Sequence, residues 1–254
     1  MQNGDPDTKN RADRLDFLYG KQIIRGAVST LSFWRKKTNI LYMQVLSKIF
    51  GGEARVKVMR LFLFNPENSF FIEQIANRAR ISEKEAWAEV ELLEKSEMVK
   101  SRSTSQILEQ KKRGKMVEVK RKAKCWQLNS NFEYLAPMKN LLISTRPLRG
   151  GEILKKLGSV GKLKLVIVSG VFIQDKDSRV DMLVVGDNLK KGTIDRILKN
   201  MEAEIGKEVN YATFETIDFQ YRLGMCDKLI RDILDYPHQK LLDKTGMKLD
   251  SRVK

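Results

Sequence analysis

Between Phe71 and Val99 apolar residues recur at helical spacing in two short runs. Ile72, Ile75 and Ala76 give the first run one apolar face, and Ala79, Arg80 and Ile81 form a tight turn. Ser82 is a good N-cap, and Glu85 stands three residues on. In that capping-box spacing hydroxyl and carboxylate each satisfy an orphan backbone N–H. Ala86, Val90 and Leu93 then fall at i, i+4 and i+7 of a second helix that ends at Lys95-Ser96, and Met98-Val99 opens a strand. Met116, Val117 and Val119 are set among polar residues as in a partner strand, and Gly114 suits a hairpin tip. Upstream, Ile40–Phe64 reads as helix with a break at Gly51-Gly52. Val56, Met59, Leu61, Phe62 and Leu63 make its wide apolar face, and Asn65-Pro66 stops it. Downstream, Trp126–Leu128 closes the hairpin, Asn129–Asn131 turns the chain, and Phe132–Ser144 reads as another helix.

The second half has a different rhythm. Ile153–Leu157 is helical, and Leu163–Val168 is a β-branched strand followed by a loop over Ser169–Arg179. Val180–Val185 is a second strand, Thr193–Ile205 an amphipathic helix, Val209–Glu215 a third strand and Phe219–Leu234 a last helix. This βαβ-like alternation predicts a small α/β domain. Arg146–Gly151, with one Pro, two Gly and two Arg, is the best linker. The expected organisation is a partly disordered extension over 1–39, a first domain over 40–145, a linker over 146–151, a second domain over 152–245 and a basic tail over 246–254.

Charge sharpens this picture. The chain of 254 residues carries a net +16, and Lys100–Cys125 alone holds ten Lys or Arg against two Glu, a net +8. Helix, turn, helix and then a basic hairpin resembles the winged helix-turn-helix plan of DNA-binding proteins. There the second helix is offered to the major groove and the hairpin lies along phosphates. The resemblance implies double-stranded DNA as partner, with Arg78, Arg80, Ser82, Lys84, Arg102, Lys111, Lys112, Arg113, Lys115, Lys120, Arg121 and Lys122 as contacts. The second helix itself is acidic, with five Glu and two Lys over Ser82–Lys95. Phosphates repel it, so the hairpin, Arg78 and Arg80 would supply the attraction. The alternative is that this helix faces a protein, with Trp87 as anchor; Trp87 also reads as core.

Composition removes other classes. No apolar run approaches the roughly 20 residues of a membrane span, and the first residues are polar, so a cytoplasmic protein without membrane association is expected. Cys125 and Cys226 lack metal spacing, and His238 is the only histidine, which argues against a His- or Cys-based metal site.

The stretch LVIVSGVFIQDKDSRVDMLVVGDN resembles the core of minimal nucleotidyltransferases of the polymerase-beta type, and Val209–Glu215 and Asp218–Pro237 look like the branch where a winged helix comes first. In that family a Gly-Ser turn holds nucleotide phosphates, and a strand carries two carboxylates, two residues apart, that hold Mg²⁺. Here Gly170 occupies the glycine position, Val171 replaces the serine, Asp181 matches the second carboxylate and Arg179 stands where the first belongs. A fixed cation in a divalent site costs several kcal/mol at ~4 Å. Asp175 and Asp177 lie off the strand spacing, and Glu215 is no obvious third ligand. The resemblance therefore implies no metal, no cofactor and no catalytic residue, with Gly170, Arg179 and Asp181 left as residual nucleotide-binding positions. Two readings stand for Arg179: it meets a nucleotide phosphate, or it is a surface residue beside a structural turn.

The expected fold class is mixed two-domain α/β: an N-terminal winged helix-turn-helix followed by a small nucleotidyltransferase-like α/β domain. The expected function is a DNA-binding transcriptional regulator whose inactive second domain senses a small nucleotide or mediates homodimerisation. Two alternatives stand beside it. One is an active nucleotidyltransferase using Mg²⁺ and NTP; the other is an antitoxin-like protein-interaction module.

Overall fold

The computed structural model describes residues 45–112, 115–143, 148–175, 177–247 and 249, with backbone only between 106 and 119. It is mixed α/β with two sheets. Expectations for the first 44 residues and for Gly114 lie outside the described residues. The expected break before the first long helix is present: residues 45–50 are helical, Gly51 turns at φ +83°, and α1 (Glu53–Phe64) restarts behind Gly52. Helix α1 buries Val56, Val58, Met59, Arg60, Leu61, Phe62 and Leu63, wider than one helical face, because other helices cover it on more than one side.

A short strand that the hydrophobic pattern does not reveal, β1 (Ser69–Phe71), leads straight into α2 (Ile72–Ala79). Arg80 takes the left-handed conformation, φ 53°, and turns the chain into α3 (Glu83–Lys95). Ser82 and Glu85 form the anticipated capping box. Strands β2 (Val99–Lys112) and β3 (Lys115–Leu128) have 14 residues each and pair from Val99↔Leu128 out to Lys112↔Lys115 without a bulge. At about 3.4 Å per residue each arm spans roughly 46 Å. The sheet order is β1-β3-β2.

Helix α4 (Leu135–Leu142) is shorter than the pattern over 132–144 predicts, because Phe132 and Leu135 close successive turns onto Asn129 and Phe132. Helix α5 (Gly150–Leu157) starts three residues ahead of Ile153, so Gly150-Gly151 of the expected linker form its first turn. The second sheet runs β6-β5-β4-β7. Strands β4 (Lys162–Val168) and β5 (Met182–Asp187) are antiparallel, joined through a 3₁₀ turn at Gly170–Phe172. Helix α6 (Lys191–Ile205) crosses to β6 (Tyr211–Phe214), which is parallel to β5. Among the described residues only this step is a βαβ unit; the expected alternation describes one crossover of the sheet.

The helix expected over 219–234 is two: α7 (Thr216–Gly224) and α8 (Lys228–Asp235). Cys226 at φ 54° breaks the run, and the Asp227 carboxylate caps the restart by accepting from the Leu229 and Ile230 N–H groups. Strand β7 (Gln239–Asp243), also unanticipated, pairs antiparallel with β4. One face of the sheet, with Val166, Val168, Met182 and Val184, packs on α5 and α6; the other, with Leu165, Ile167, Leu183 and Val185, packs on α7 and α8. That two-sided burial is why LVIV and MLVV are apolar at every position.

Helix α1 also touches the second sheet's layer. Buried Arg60 donates through Nε to the Leu142 carbonyl at 3.0 Å and through Nη1 to the Glu204 carbonyl at 2.8 Å. Gly206, φ +92°, ends α6 so close to α1 that a Cβ there would lie 2.6 Å from the Arg60 carbonyl carbon. Among the described residues no helix is long and apolar enough to cross a membrane.

Candidate functional site

The acidity of α3 is largely consumed within the molecule. Glu85 caps its own helix with Ser82, and that contact with the Ser82 backbone N–H holds its carboxyl below the usual carboxylate range. Glu89 accepts from Arg55 Nε at 2.7 Å, and Glu91 pairs with Lys95 at 2.8 Å. Glu94 binds the root of the hairpin. Ser101 Oγ donates to it at 2.5 Å, and Lys124 Nζ and Trp126 Nε1 each donate at 2.9 Å. The Ser101, Trp126 and Lys124 contacts, in that order, push the Glu94 carboxyl down to about 2. Sequence pattern misses this hub. Its one signal is the indole of Trp126, whose N–H needs a partner when buried.

Glu94 carries a pH signature. Its pKa is depressed on folding, so the stability it contributes is fully present above the unfolded value, near 4.5, and is lost as pH falls towards about 2. Acid titration followed by Trp fluorescence is expected to show the helix–hairpin junction loosening across that window in wild type. In Glu94→Gln the junction is weaker at neutral pH and this pH step is gone.

The predicted cations are differently placed. Arg80 and Lys84 are exposed on and after the turn, and Lys120, Arg121 and Lys122 are exposed on β3. Arg78 pairs with Glu208 and lies over the Phe70 ring, 5.3 Å from its centroid. Arg102 donates to Ser69 Oγ at 2.6 Å and to Gln127. The Ser82 hydroxyl is committed to the cap, accepting from the Glu85 N–H at 3.2 Å. Lys111, Lys112 and Lys115 stand at the distal end of the hairpin by register; Arg113 and those three side chains lie outside the described atoms.

The second candidate site surrounds Gly170. Asp181 lies one residue before β5 rather than on it, and is 4% exposed. Its Oδ1 accepts from the Val171 N–H at 2.8 Å and its Oδ2 from the Asn210 N–H at 2.9 Å. A Cβ on Gly170, φ +51°, would lie 2.0 Å from Asp181 Oδ1, so the carboxylate fills the space that the glycine leaves. The other turn amides close inward: Phe172 onto the Ser169 carbonyl, Ile173 and Asp175 onto that of Gly170. Arg179 does not join this cluster. It is largely exposed and pairs with Asp232 of α8 at 3.2 Å. Asp175 accepts from the Asp177 N–H at 3.1 Å, and Glu215 accepts from the Asn188 and Leu189 N–H groups. Among the described residues no group of three or more His, Cys, Asp or Glu side chains could hold a metal ion. Cys125 is buried and Cys226 exposed, and neither is in a disulfide.

No family model, curated protein or solved structure matches the chain.

Proposed function

We propose that the chain is a DNA-binding transcriptional regulator. Its first half acts as a winged helix-turn-helix on double-stranded DNA. Its second half, of nucleotidyltransferase-like order, serves as a non-catalytic module for association or sensing. The observation that carries this reading is the long β2–β3 hairpin, which holds half of the net charge and is fixed to α3 through Glu94. An extended hairpin of that charge offers many cations to one phosphate backbone. Arg55 and Lys124 each offset one glutamate of α3 and so lower the repulsion that its sequence suggests. The burial of Asp181, 4% exposed with each oxygen accepting from a backbone N–H, supports the non-catalytic reading, since a metal ligand needs an oxygen open to the ion.

The test is a salt titration of DNA affinity. Changing Lys111, Lys112, Arg113 and Lys115 together to Ala is expected to remove up to about four phosphate contacts. The slope of log K against log salt should flatten by up to ~0.9 for each one lost. Unchanged affinity and slope overturn the reading.

A further inference from the structure

We propose that the surface between α3 and the hairpin takes nucleic acid with unpaired bases, Trp87 being a stacking platform beside a row of lysines. The proposal rests on the nucleic-acid reading above and names the ligand of that same face.

Trp87 is 46% exposed, yet it is held in place. It meets Trp126 edge to face, with centroids 5.1 Å apart and planes at 89°. Trp126 is itself 1% exposed, with its indole N–H fixed on Glu94. A large aromatic group anchored by a buried one and left half open presents a preorganised apolar surface to solvent.

The rest of α3 offers little for reading paired bases. Its sequence, EKEAWAEVELLEK, contains no Arg, Asn or Gln, and of its two lysines, Lys84 and Lys95, the second is paired with Glu91, which leaves few side chains for guanine and adenine edges. What it exposes around Trp87 is Glu83, Lys84, Ala88, Glu91, Leu92 and Lys95.

The cations lie in line with the platform. Along β3, Trp126, Lys124, Lys122 and Lys120 alternate without a bulge, so they share one face, with a lysine about every 6.8 Å. Lys124, ion-paired with Glu94, sits 5.2 Å from the Trp126 ring centroid, and the row continues with exposed Lys122 and Lys120 beyond it. An aromatic surface continued by a row of ammonium groups is what a single strand uses, its bases stacking and its backbone tracking the charge. In a continuous duplex the base faces are covered by their neighbours, so Trp87 gains a partner only at an end, a gap or an overhang. Stacking of this kind tolerates any base, so the preference is for strand state rather than sequence.

The experiment uses the full chain and two labelled probes of equal phosphate count, a blunt duplex and a duplex with a single-stranded overhang. Wild type is expected to bind the overhang roughly five- to a hundredfold more tightly. Trp87→Leu is expected to abolish that difference while leaving the salt slope unchanged, and Trp87→Phe to keep most of it. Equal binding of the two probes by wild type, or a preference that survives Trp87→Leu, overturns the proposal. So does a salt slope that falls with Trp87→Leu, because it assigns the loss to charge. If blunt duplex binding still depends on the hairpin lysines in those cases, the regulator reading stands alone; if neither probe binds, both fall.

Discussion

Arg60→Met is expected to lower the stability of the fold by about 2–4 kcal/mol, read as an earlier urea midpoint with an unchanged slope. The substitution keeps most of the side-chain volume and removes two charge-assisted donors. The carbonyls at the ends of two different helices, Leu142 of α4 and Glu204 of α6, then lose the donor that both share. Arg60→Lys is expected to fall between, since one ammonium on a flexible stem does not reproduce the planar fork that serves two acceptors. An urea midpoint equal to wild type in Arg60→Met would mean that the bridge contributes nothing. Because Arg60 ties α1 to elements on both sides of residues 144–147, the whole transition is expected to move as one.

Asp181→Ala is expected to cost about 3 kcal/mol and to leave NTP turnover with Mg²⁺ or Mn²⁺ at the background of wild type. The stability loss follows from two backbone N–H groups, of Val171 and Asn210, that lose a buried charged acceptor together. Asp181→Asn is the informative companion. Its one carbonyl oxygen can accept from one of these groups, while its NH₂ faces the other as donor against donor, so it recovers only part of the loss. Catalytic residues commonly show the reverse, their removal abolishing turnover at little cost in stability, and that pattern with labelled NTP would establish Asp181 as a metal ligand.

These two residues also mark how far the sequence is readable. The capping box at Ser82 and Glu85, the turn at Arg80 and the helix stop at Asn65 depend on neighbours within a few positions, and each is legible in the letters alone. What is not legible depends on distant partners. Arg60 reads as one charge in an apolar run until α4 and α6 supply its carbonyls. Asp181 reads as the one surviving carboxylate of the family's pair, and nothing near it in the chain tells that Val171 and distant Asn210 take its two oxygens. The glutamates of α3 read as a repulsive face until Arg55, Lys124 and Trp126 meet them. Strand β1 is too short to show a period, and β7, half-buried at an edge of the sheet, carries too little alternation to stand out.

The order of strands in the second sheet bears on how the chain comes into being. Strand β4 ends up between β5 and β7, but β7 is about seventy residues further along. At ordinary rates of synthesis, about 5–20 residues per second, one hydrogen-bonding edge of the apolar segment KLKLVIV waits roughly 4–14 seconds for its partner. An unpaired edge of that composition is a template for other strands. The nascent protein therefore passes through an interval in which this apolar segment is made and only half enclosed. Lys162 and Lys164 stand at the start of that edge, where two positive charges discourage a neighbouring copy from pairing until β7 arrives.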